Sequence, residues 1–306
     1  PQWGKWLWKI EGGSLTVEGV DFYIDVSGRT AADTDLVLIE LQQADLTLVH
    51  SSITVITGSV EGRSPVTAIK VNGERPWDPK ARGDAPLPVR VEIRNSMLRG
   101  TQTAVYLNSR QAVLRLENSI VASPGPIVHL FHTDRLEFAH QRLITEIGGC
   151  TLDTAGPLFA IDCRPYDLVA VPLEVRLRST LVASSAPPDR RPPQVLWQSP
   201  VQDQRLSAAV RWSGQGNAYY QRGDALRAKS PTGPVITFVQ SPADWQRVSL
   251  GEETDWVVPK QALPLPTGPW HRRLPANYAI TRQGGESRAS KPGTPFGAET
   301  KQVANP

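Results

Sequence analysis

The side chains best suited to handling a ligand are Tyr106, Asn108, His129, Phe131, Asp162 and Trp197. Aromatic rings interleaved with hydrogen-bonding groups suit a sugar chain, which presents apolar ring faces and many hydroxyls. A hydrolytic reading needs two carboxyl groups at a set separation across the scissile bond. Asp162 has no evident acidic partner in the neighbouring repeats, so no catalytic residue is assigned. Asp21, Asp25, Asp33 and Asp35 cluster early in the chain and offer the oxygen atoms that calcium prefers. Their spacing matches no calcium loop, and Asp33 and Asp35 read equally well as a polar turn. His129 and His132 are three residues apart on a strand and its end, not on a metal-binding helix. The chain also lacks a Gly-x-Ser-x-Gly elbow, a P-loop and a dinucleotide fingerprint, so no cofactor is expected beyond a weak calcium alternative.

A repeat would carry those six residues to one face. Seven segments share a pattern of apolar, any, apolar, any, then a corner residue: LTVEG (15–19), LTLVH (46–50), VEIRN (91–95), LRLEN (114–118), TEIGG (145–149), VRLRS (175–179) and VRWSG (210–214). The corner column reads Gly19, His50, Asn95, Asn118, Gly149, Ser179 and Gly214, mostly types that tolerate a left-handed or bent backbone. The residue after each corner is mostly small: Val20, Ser51, Ser96, Ser119, Cys150, Thr180, Gln215. Successive segments start 31, 45, 23, 31, 30 and 35 residues apart, so the longer intervals carry loops, the clearest being the insertion 73–88. A second strand recurs in most intervals, over 36–41, 66–71, 103–107, 127–131, 158–163 and 195–198. No sustained helical period appears, and the two-residue Asn-Gly or Asp-Gly turns of a hairpin sandwich are almost absent.

These features predict an all-β chain folded as a right-handed parallel β-helix of about seven coils. Stacked strands put equivalent positions about 4.8 Å apart. The second column then forms a ladder of Thr16, Thr47, Glu92, Arg115, Glu146, Arg176 and Arg211, with Arg94 beside Glu117. Apolar and corner residues alone set the alignment, so the Glu/Arg alternation supports the register, and the face reads as a solvated structural ladder. The first and third columns are aliphatic and point into the core. Alternation on the second strand sends Val105, Leu107, Val128, Leu130, Phe159, Ile161 and Cys163 inward. It sends Glu40, Lys70 and the six candidate residues outward.

Residues 1–12, with Trp3, Trp6 and Trp8, are expected to cap the first coil, and the β-helix to span 13–240. Residues 241–306 form a capping segment and an irregular Pro-rich tail. SPADWQRV (241–248) suits a helical turn, and 283–306 is too polar to support a core. The 33 Lys and Arg against 30 Asp and Glu, without a polybasic run, argue against nucleic acid. No stretch is long and apolar enough to span a membrane. The chain starts at Pro1 with no leader, as a segment of a longer protein would. Its two cysteines, Cys150 and Cys163, are either bonded to each other or, the favoured reading, separate core thiols.

The pattern in VRVEIRNSMLRGTQTAVYLNS (89–109) and AVLRLENSIVASPGPIVHLF (112–131) resembles the pectin-lyase-like superfamily. KIEGGSLTVEGVDF (9–22) and PFGAE (295–299) look like β-helix regions of planctomycete-type bacterial proteins, some of which follow a kinase-like domain and a membrane anchor. Polygalacturonase and pectate-lyase signatures are absent, so the resemblance transfers no catalytic residue. It implies a non-catalytic recognition or scaffold domain, extracytoplasmic or at the cell surface, that binds a polysaccharide or a protein surface. The alternatives are a polysaccharide lyase or glycoside hydrolase, and a purely structural spacer. The sequence leaves the oligomeric state open.

Overall fold

The computed structural model describes residues 6–27, 36–56, 66–72, 88–109, 111–132, 142–163, 173–185, 195–199, 210–220, 222, 226–229, 235–239, 251–259, 263 and 265–278. Among them the chain forms three parallel β-sheets and no α-helix. It is a parallel β-solenoid. The nine-stranded sheet runs from Trp6–Glu11 through Leu36–Gln42, Val66–Asn72, Thr103–Asn108, Val128–His132, Phe159–Cys163 and Leu196–Ser199 to Leu226–Lys229. Val235–Val239 closes its edge with an antiparallel pairing. The eight-stranded sheet stacks Ser14–Glu18, Asp45–Val49, Val89–Arg94, Gln111–Glu117, Arg142–Gly148, Leu173–Arg178, Val210–Gln215 and Gly251–Thr254. A seven-stranded sheet of shorter strands, from Asp21–Asp25 to Ala218–Tyr220, completes each circuit.

Each circuit turns at a residue with left-handed backbone between the eight- and seven-stranded sheets. The φ values are 65° at Gly19, 48° at His50, 50° at Asn95, 45° at Asn118, 60° at Gly149 and 47° at Ser179. The next residue ties the coils together. The Ser51, Ser96 and Ser119 hydroxyls donate to the carbonyl two residues back, at 2.9, 2.7 and 2.8 Å. Ser96 Oγ and Ser119 Oγ accept from the backbone N–H of Ser51 and Ser96, at 3.1 and 3.2 Å. Cys150 continues the column as a free, buried thiol donating to the Gly148 carbonyl, and burial pushes it up to about 12. The side chain of Cys163 lies outside the described residues.

The observed register pairs Thr47 with Glu92, Glu92 with Arg115, Arg115 with Glu146 and Glu146 with Arg176, as the ladder requires. Arg115 and Arg176 each reach Glu146 at 2.8 Å, so one carboxylate holds two guanidiniums. The last strand departs from expectation by two residues. Trp212, not Val210, lies beside Val175, and Ser213, not Arg211, lies beside Arg176. The corner is Gly216, with φ 65°, and Asn217 takes the place expected for Gln215.

Gly214 has a different task. A side chain there would collide with the Glu253 carboxylate, which fills the end of the inward column. Glu253 accepts from Trp212 Nε1 at 2.5 Å and Asn217 Nδ2 at 2.6 Å. Burial nevertheless raises its carboxyl above the ordinary carboxylate range. The contribution of Glu253 to stability is therefore complete below that ordinary range and is lost as pH rises through the raised value. Glu253→Gln should flatten this part of the stability–pH profile, as read from urea midpoints across a pH series.

The N-terminal segment expected as a cap is, over Trp6–Glu11, the first strand of the nine-stranded sheet. Trp8 meets Phe22 edge-on at 5.1 Å and stays 40% exposed, because no described strand stacks on that side. The insertion 73–88 lies almost wholly outside the described residues, as do 241–248 and 283–306. Part of the expected capping segment is seen, and it lies along the flank of the stack. Leu263 and Leu265 pack on Leu181, Ala183 and Ala218, while Trp270 and Tyr278 pack on Met97, Ile120 and Ala122. An ion pair buried beneath this strap joins Arg273 to Asp153 at 2.6 Å, with Tyr278 donating to the same carboxylate at 2.9 Å. Removing one partner of a buried pair costs about 3–5 kcal/mol, because the other charge is left stranded. Asp153→Ala should therefore lose stability on that scale in urea denaturation. Combined with Arg273→Met it should lose clearly less than the two single losses added.

Candidate functional site

The outward face of the nine-stranded sheet carries the half-buried Tyr106, Asn108, His129 and Asp162. Register sets Glu40 beside Lys70, Lys70 beside Tyr106, and Tyr106 beside His129. His129 is opposite Ala160, and Ala160 is opposite Trp197. Phe131 pairs with Asp162 in the backbone register. The side chains of Phe131 and Trp197 lie outside the described residues, so this surface is defined by the other four.

Those four form two linked groups. Tyr106 meets the His129 ring edge-on with centroids 5.0 Å apart, and Lys70 lies 5.7 Å from the Tyr106 ring centre. His129 Nε2 is 2.7 Å from Asp162 Oδ2. The contact is diagonal, and the short Ala160 directly opposite His129 leaves that diagonal open. Beside this group runs an amide row: Asn108 Nδ2 donates to Asn72 Oδ1 at 2.8 Å, and Asn72 Nδ2 donates to Glu40 at 3.2 Å. Tyr106, Asn108, His129 and Asp162 are all half-buried, so they are held in place yet remain reachable.

The arrangement offers an aromatic edge, an oriented imidazole and amide groups along one line. It does not offer a pair of acids. Glu40 and Asp162 stand four strands apart, roughly 19 Å at the usual strand spacing, against the roughly 5–9.5 Å that glycosidic hydrolysis uses. The early acids serve local structure: Asp21 accepts from Ser52 Oγ at 2.5 Å and Asp25 from the Ser27 N–H at 2.8 Å. Those Ser27 bonds hold the Asp25 carboxyl below the ordinary range. Asp33 and Asp35 lie outside the described residues. Among the described residues no three His, Cys, Asp or Glu side chains converge as metal ligands. No helix there is long and apolar enough to cross a membrane.

Sequence reasoning missed the polar cluster under the strap. Asp153 also accepts from the Ser185 N–H at 2.9 Å and from its hydroxyl at 2.6 Å. Arg222 donates to the carbonyls of Gly156 and Ala183, at 3.0 and 2.5 Å, and burial pulls its guanidinium down to about 9. The available signal was the third strand of each coil. MLR, IVAS and LVA alternate poorly because both faces are buried.

No family model, curated protein or solved structure matches the chain.

The His129–Asp162 contact is partly exposed, and such pairs contribute about 0–1 kcal/mol. Asp162→Ala should therefore shift the urea midpoint only slightly, which separates any binding defect of this variant from misfolding.

Proposed function

We propose that this chain is a right-handed parallel β-helix of about seven coils with pectin-lyase-like architecture, and that it is a non-catalytic recognition domain. In this reading it belongs to a larger, membrane-anchored bacterial protein of the planctomycete type and faces the outside of the cell. Its ligand is a polysaccharide laid along the outward face of the nine-stranded sheet.

One observation carries the reading: Tyr106 stands against His129, which Asp162 holds, beside the amide row of Asn72 and Asn108. Sugar rings pack their C–H faces on aromatic groups, and their hydroxyls bridge fixed donors and acceptors. The groups follow one another at the strand spacing of about 4.8 Å, which suits an extended chain better than a compact ligand.

The His129–Asp162 contact favours one alternative. A carboxylate orienting an imidazole is also how a general base is built, so a polysaccharide lyase is the second reading. A glycan array paired with degradation assays on the same polysaccharides separates the two. Retention without products is expected, with Tyr106→Ala weakening it roughly tenfold. Products that vanish in His129→Ala would establish the lyase. Neither retention nor products would leave the spacer.

A further inference from the structure

The charge pattern on the outside of the eight-stranded sheet stops at Val210–Gln215. One outward row runs Glu92, Arg115, Glu146, Arg176 and Ser213, and the next runs Arg94, Glu117, Gly148, Arg178 and Gln215. An acid beside Arg176 and another beside Arg178 would continue the pattern. Neutral hydrogen-bonding residues, Ser213 and Gln215, stand there instead. The remaining outward pair sets Arg211 beside Glu174. These two strands therefore turn three guanidiniums outward, Arg176, Arg178 and Arg211, against the single carboxylate of Glu174.

Arg176 is matched by acids on both sides, reaching Glu146 at 2.8 Å and Glu174 at 3.1 Å. Arg178 is not. It stands between Gly148 and Gln215 and forms no ion pair with any described residue. Its guanidinium leans over Gly148, with Nε 3.7 Å from where a Cβ would be. Arg178, Ser213 and Gln215 line one wall of a depression of about 430 Å³, whose other side carries Glu117 and Glu146. Both Glu146 oxygens are already taken, one by Arg115 and one by Arg176. Glu117 lies two strands from Arg178, about 10 Å away, with Arg94 as its other neighbour. A guanidinium, a hydroxyl and an amide are the donors left on the Arg178 wall.

We propose that this wall binds the carboxylate of a monoanionic ligand, which takes the place of the next acid in the charge pattern. The planar fork of Arg178 suits a carboxylate, and Ser213 and Gln215 donate to it from the neighbouring strand. Glu117 and Glu146 across the depression repel a second negative charge, which disfavours inorganic phosphate and sulfate. The proposal does not rest on the groove of the nine-stranded sheet.

Nitrogen-15 NMR of the arginine Nε–H groups of the whole chain tests it, with sodium acetate titrated against sodium chloride at constant ionic strength. The Arg178 signal is the one lost in Arg178→Lys. It should shift saturably with acetate, with a midpoint on the order of 10 mM. Gln215→Glu, which sets an acid beside Arg178, should raise that midpoint at least fivefold, whereas Tyr106→Ala should leave it unchanged. Circular dichroism checks that each variant folds. If solvent exchange hides the Arg178 signal, the carboxyl line of carbon-13 acetate serves instead, broadened by the native chain and not by Arg178→Gln. A shift that never saturates, or that chloride reproduces, would overturn the proposal, as would a midpoint unmoved by Gln215→Glu. Phosphate or sulfate saturating the signal at lower concentration than acetate would overturn the carboxylate assignment.

Discussion

The fold depends on one corner, repeated, between the eight- and seven-stranded sheets. A left-handed residue there turns the chain, and at Ser51, Ser96 and Ser119 a hydroxyl just after it binds both its own corner and the coil alongside. Left-handed backbone costs a residue with a side chain roughly 1–2 kcal/mol. His50, Asn95, Asn118 and Ser179 all adopt it. Compensation comes from between coils: Asn118 Nδ2 donates to Asn95 Oδ1 at 2.8 Å, and Asn95 Nδ2 lies 3.2 Å from His50 Nε2. Each such bond contributes about 0.5–1.5 kcal/mol net. No coil can offset its own corner alone, so the corners favour stacking. Once they stack, the strands on either side have no freedom of register.

Fixed register is what turns sequence spacing into chemistry. The Glu92–Arg115–Glu146–Arg176 ladder and the Tyr106–His129–Asp162 group sit on different sheets, yet both follow from the same stacking. The strap adds a second kind of order. Solenoid contacts join neighbouring coils, and stability is then a sum of local terms. Arg273 reaches both Thr54's neighbour Arg99 and Asp153, which lie on strands two coils apart. Coils that would otherwise loosen one at a time are thereby coupled.

Much of this was legible in the sequence. The corner column, the second-strand segments and the charge ladder needed only period-two alternation and the preference of Gly, Asn and Ser for bent backbone. The hydroxyl bonds after the corner were legible only as small residues, since size and bonding select the same types. The final strand was misplaced because VRWSG offers a glycine where the template wants one, while the real corner, Gly216, lies two residues further on. Gly214 answers instead to Glu253, 39 residues later, and no local pattern can reveal that. The strap was illegible for a similar reason. Its partner surface is built from several short strands, and its own sequence has no period.

Chemistry in such a fold is found where the columns fail. A position that obeys its column is explained by the residues above and below it, so its identity says little about ligands. Ala160 breaks the outward row of the nine-stranded sheet and so lets Asp162 reach His129. Gly148 interrupts the side chains between Glu117 and Arg178 on the eight-stranded sheet, and the Arg178 guanidinium leans over it. Asp153 puts a charge on an apolar face and is met by Arg273 and Tyr278. Glu253 puts one into the aliphatic stack and is met by Trp212 and Asn217. The last two exceptions are answered from within the chain and serve the fold. The first two leave groups turned towards solvent.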